Sequence, residues 1–143
     1  GVISGLGQMQ SRKAVPGLRK ALEDPDTYVK LEAIKALGNA GDAGVAGDLK
    51  RNLKDEDPAV KIGTALSLAK LGDASGLDIA HELIRSPDLM LKQQSCDAIA
   101  MAGDEKSLKL VEELYAASQD PAEKGLYDFT RSRLASRLKA RTK

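Results

Sequence analysis

With 143 residues and 42% hydrophobic content, the chain holds enough apolar material for one ordinary domain with a sizeable core. Aromatics make up only 3%, with no Trp, which favours helices packed through small and aliphatic side chains. A formal charge of +1 argues against a protein built wholly around a polyanion, the single Cys96 excludes an internal disulfide framework, and no run of about 18 apolar residues exists.

In chain order, residues 2–7 match the last half of a helix that recurs downstream, so that helix lacks its beginning. The expectation is an array excised from a longer protein. Val15, Leu18 and Leu22, spaced i, i+3 and i+7, predict the next helix. Residues 29–42, Val-Lys-Leu-Glu-Ala-Ile-Lys-Ala-Leu-Gly-Asn-Ala-Gly-Asp, then recur as 60–73 and again as 91–104, at a gapless period of 31.

Each column of the repeat has a physical role. Asp26, Asp57 and Asp88 precede an apolar-periodic segment, where a carboxylate caps free backbone N–H groups, and Pro58 suits a first helical position. The stripe at 29, 33, 34 and 37, repeated in each unit, predicts an amphipathic first helix. Gly41, Gly72 and Gly103 are expected to end it in the left-handed conformation. Asp42, Asp73 and Asp104 are expected to cap a second helix directly, with the stripe Val15/Ala46/Leu77/Leu108, Leu18/Leu49/Ala80/Val111 and Leu22/Leu53/Ile84/Tyr115. One such hairpin cannot bury its apolar face alone, so neighbours must stack. The expected architecture is all-α, a solenoid of stacked antiparallel hairpins over 1–143. Its divisions are a partial repeat at 1–25, full repeats at 26–56, 57–87 and 88–119, and a C-terminal helix at 120–143 out of the 31-residue register.

The pattern Val-Lys-x-x-Ala-x-x-Ala-Leu-Gly-x-x-Gly-Asp, as it stands at 29–42, resembles the short HEAT-like repeat first described in phycobilin lyases. The resemblance runs over roughly residues 2–117 and implies a HEAT-like superhelix. It leaves function open, since unrelated activities use these repeats. It also implies a binding surface along the exposed side of the second helices, where such arrays grip partners.

Two outward columns fall on that face: Arg19/Lys50/His81/Glu112 and Lys20/Arg51/Glu82/Glu113. They run from basic to acidic along the array, a gradient that can orient a protein or peptide of complementary charge. The competing reading is an ordinary solvated helix face. His81-Glu82 invites comparison with the His-Glu iron ligands of deoxyhypusine hydroxylase, which uses the same repeat type. Those pairs, however, fall on several first helices, whereas here the only histidine lies on a second helix and its neighbour points about 100° away. No metal and no cofactor are expected. Cys96 shares a column with Ile34 and Ala65 and is expected to be a buried small hydrophobe, and no catalytic constellation appears.

Residues 122–143 carry seven positive charges against Glu123 and Asp128, a net +5 that leaves −4 on the rest. That helix suits either attachment to nucleic acid or an anionic membrane, or contact with the array. Few aromatics are available to stack on bases, which disfavours nucleic acid. Lys30/Lys61/Lys92 recurs as a column and suggests charge contacts between neighbouring repeats. The reading best supported is a non-enzymatic scaffold for a partner protein, with a phycobilin-lyase-like subunit as the alternative, and a cytoplasmic setting favoured.

Overall fold

The computed structural model describes residues 15–40 and 43–141. Its helices are α1 (Val15–Ala21), α2 (Thr27–Ala40), α3 (Ala46–Leu49), α4 (Pro58–Lys70), α5 (Leu77–Leu83), α6 (Leu89–Ala102), α7 (Glu105–Ala117) and α8 (Pro121–Arg141), with no strand among the described residues. Short 3-10 segments, Ala43–Val45 and Lys50–Lys54, flank α3. The long first helices α2, α4, α6 and α8 lie side by side, and each second helix packs against the first helix that follows it. This is an α-solenoid.

The caps follow the sequence. Asp26 accepts from the Tyr28 N–H at 2.8 Å, Asp57 from Ala59 at 2.9 Å, and Asp88 from Met90 at 2.9 Å, while Asp120 does the same for Ala122 at 3.0 Å. A second column, unnoticed in the sequence, lies two residues upstream. Asp24 and Asp55 accept the N–H of Asp26 and Asp57 through their carboxylates, and Ser86 and Ser118 accept that of Asp88 and Asp120 through their hydroxyls. Each connection therefore holds two successive side-chain-to-backbone bonds, which fix the entry of the next helix.

Two expectations change. Gly72 has φ +81 and closes α4 with Gly72 N–H to Ala69 C=O and Asp73 N–H to Leu68 C=O, a Schellman motif. Gly103 closes α6 with φ −65 and ψ 158, so no left-handed residue is needed there. Its glycine is required for a different reason, since a Cβ would run into the Ile99 carbonyl oxygen. Gly41 lies outside the described residues. Among the second-helix aspartates, Asp104 caps α7 through a reciprocal capping box with Ser107. Asp73 does not cap α5, which starts at Leu77 after Gly76 and has no side-chain cap. The Asp73 carboxylate is taken by the Ser75 N–H at 2.8 Å, and Gly76 abuts Ala65, so the chain turns before the helix begins. Asp42 also lies outside the described residues.

Among the described residues the core is two buried clusters joined at Leu53. One gathers Ile34, Leu37, Leu49, Val60 and Leu68 among others, and the second includes Ile62, Ile84, Cys96, Ile99, Tyr127 and Leu134. Buried hydroxyls on the first helices bond to backbone: Thr64 to the Val60 C=O, Ser95 to Leu91 and Thr130 to Leu126 within a helix, and Ser67 to Ile34 on the neighbouring one. They satisfy themselves while leaving room for close helix approach, shown where Gly38 of α2 meets Ser67 of α4.

Candidate functional site

The second helices carry both charged columns, but the structure gives the columns different work. In the first, Arg19 Nε lies 2.8 Å from Asp48 Oδ2, Lys50 Nζ 3.3 Å from Asp73 Oδ2, and His81 Nε2 shares a 2.7 Å hydrogen bond with Ser107 Oγ. Every one of these side chains reaches forward to the opening of the next second helix. The column therefore braces neighbouring repeats. Glu112, at its far end, is exposed.

The other column stays outside. Lys20, Glu82 and Glu113 are exposed, and their side chains make no hydrogen bond or ion pair among the described residues. Arg51 faces Glu23 at 3.3 Å, yet both side chains are about three-quarters exposed (76% and 73%). A pair so solvated holds its partner weakly, by about 0–1 kcal/mol.

Between α1 and the 3-10 segment Lys50–Lys54 lies an open groove of about 470 Å³. Leu22 and Asn52 line it at depth, and Arg19, Lys20, Arg51 and Lys54 line it with Glu23, Asp48 and Asp55. Asn52 is fastened by its amide N–H to the Leu22 C=O at 3.2 Å. The Lys30 ammonium, 2.8 Å away, holds the Asp55 carboxyl below the usual range, helped by the Asp57 backbone N–H. Lys54, Glu23 and Asp48 escaped the sequence reading. Glu23 and Lys54 form a third exposed column, one residue past Leu22 and Leu53, and that spacing was the signal available.

Other expected features resolve in the array. Lys92 donates to Glu123 at 3.0 Å and to the Tyr127 hydroxyl at 2.8 Å while 8% exposed. Burial pushes its pKa down, but the Tyr127 and Glu123 hydrogen bonds outweigh this and hold it above its ordinary value. Lys30 also bridges forward, but to Asp55 in the connection before the next first helix rather than to the first turn of that helix, and at the position of Asp55 one repeat on stands Ser86. Cys96 is buried, and burial pushes its thiol up, against the chemistry of a nucleophile. Among the described residues no three His, Cys, Asp or Glu side chains gather as metal ligands do.

The basic helix α8 lies against the array. Arg133 pairs with Asp97 at 3.0 Å, Lys124 donates to the Tyr115 C=O and sits 4.3 Å over its ring, and Arg131 pairs with Asp128. Tyr127, Thr130 and Leu134 of the same helix are buried. The helix thus covers the last full repeat. No described helix is long and apolar enough to cross a membrane.

A family model of HEAT repeats matches residues 1–58 and again 48–125. No curated protein matches the chain. HEAT repeats commonly mediate protein–protein interaction, and proteins built from them are usually non-enzymatic scaffolds. The gapless 31-residue period, the stacked helical hairpins and the family match agree: this chain belongs to the HEAT repeat family.

Proposed function

We propose that the protein is a binding scaffold that holds a partner protein or peptide along the second-helix face, through Lys20 and Arg51 at the basic end and Glu82 and Glu113 at the acidic end. Arg19, Lys50, His81 and Glu112 form the inner edge of that face, most of them fixed by contacts to the next repeat. The observation that carries this reading is the groove of about 470 Å³ between α1 and Lys50–Lys54, bordered by exposed charges. A charged surface of this kind steers a partner of opposite pattern. Within HEAT repeats, the 31-residue period and the motif at 29–42 support the short, phycobilin-lyase type.

The test is a pull-down from the native source, read by mass spectrometry, with the chain and its Lys20→Glu/Arg51→Glu variant. Neither residue contributes to the core, so circular dichroism should be unchanged while the captured partner is lost. Equal capture by both forms would remove this face from consideration.

A further inference from the structure

We infer that Arg137 and Arg141, at the C-terminal end of α8, form a binding site for a phosphate monoester, either inorganic phosphate or a phosphorylated side chain of a partner. The site goes beyond the scaffold reading and shares no residue with the groove at α1. It occupies the turn edge of the solenoid, a cavity of about 430 Å³ lined by Gly72, Ala74, Met101, Ala102, Arg137 and Arg141.

Three observations carry it. First, no acidic residue lines the cavity, and neither arginine pairs with a carboxylate among the described residues. Arg131 and Arg133, earlier on the same helix, each have one, so Arg137 and Arg141 differ from those two. Second, Arg137 is already fixed in place. Its Nε donates to the Ala100 C=O at 3.0 Å and its Nη2 to the Gly103 C=O, where α6 ends. Those bonds use part of a planar group with five N–H donors and leave the rest to an incoming oxyanion. Third, among the described residues no carboxylate offsets the two charges. Burial and then the neighbouring Arg141 lower the pKa of Arg137, so an anion between the two relieves a cost already present.

Charge balance selects the ligand. Two guanidiniums match a phosphate monoester, which carries about −1.5 to −2 at neutral pH, better than a singly charged carboxylate or diester. A nucleic-acid strand would need a longer cationic track, and Lys124, Arg131 and Arg133 are committed to Tyr115, Asp128 and Asp97.

The full chain, titrated with inorganic phosphate at constant ionic strength and followed by ¹H–¹⁵N NMR, should show saturable shifts confined to Gly72, Ala74, residues 101–103 and the two arginine Nε groups. Arg141→Gln is exposed and should leave helicity intact while weakening binding about tenfold. Arg137→Lys keeps the charge but loses the fork, and should weaken it too. A phosphoserine peptide that binds more tightly than inorganic phosphate, while its unphosphorylated form does not bind, assigns the source to a partner; equal affinity assigns it to free phosphate. The assignment is overturned by the absence of saturable shifts, by an unchanged response in Arg141→Gln, or by equal shifts from dimethyl phosphate or duplex DNA.

Discussion

Ser107 shows how much one small side chain does in this array. Fully buried, it donates its backbone N–H to Asp104, accepts the Asp104 N–H in return, and shares a hydrogen bond with His81 of the preceding second helix. Ser107→Ala should therefore cost about 1–2 kcal/mol in urea unfolding, the loss of a cap and an inter-repeat contact together. Leu68, with no exposure at all, should cost about 2–5 kcal/mol as Leu68→Ala by the same measurement. The carboxylates set the acid limit. The Ser107 backbone N–H holds Asp104 below the ordinary range, Lys30 does so for Asp55, the Ser75 hydroxyl for Asp73, and the Ser118 hydroxyl followed by Lys92 for Glu123. Because each is depressed in the folded state, the unfolded chain takes up protons first as pH falls. The stabilisation is full above the ordinary carboxylate range and is lost below about pH 4. Melting temperature against pH should be flat near neutrality and drop there, with a shallower drop in Asp104→Asn. A pH-independent melting curve down to pH 3 would refute the assignment.

At the scale of the element, the two turn glycines should separate experimentally. Gly72→Ala has open space for its Cβ but a left-handed backbone, a cost of about 1–2 kcal/mol. Gly103→Ala has an ordinary backbone but drives its Cβ against the Ile99 oxygen and Ser107, so the end of α6 and the start of α7 must move. Thermal unfolding should place Gly103→Ala below Gly72→Ala, and the reverse order would show that the two helices part easily. The Ala43–Lys54 segment is the weak element. Gly44 and Gly47 interrupt it, and it folds as 3-10, a single α turn and 3-10 again. Its amides should exchange with deuterium faster than those of α7, its counterpart two repeats on.

The whole molecule is quasi-one-dimensional, with each repeat held by its neighbours through the core and through side chains such as Arg19, Lys50, Lys92 and Arg133. Removing residues 121–143 would strip Tyr127 and Leu134 from the core and expose the α6 surface. Hydrogen exchange should then rise in α6 and α7 first and reach α2 last. Simultaneous melting of all helices would mean a single cooperative unit instead.

The sequence by itself determined the period, the first-helix caps, the interior stripes and hence the solenoid, because caps and amphipathic stripes depend on residues a turn or less apart. Ala33, Ile34 and Leu37 are buried as their spacing requires, and so are their counterparts one and two repeats on. Tertiary structure decided what depends on distance in the chain. It set Arg19 on Asp48, His81 on Ser107 and Lys92 on Glu123 and Tyr127, which turned one apparent surface column into inter-repeat bracing. It also laid the basic helix α8 on the array, where Asp97 and the α6 carbonyls hold Arg133 and Arg137. Period and local chemistry name a side chain's turn of helix, but only the packed neighbour decides whether its charge faces water, an acid or a cavity.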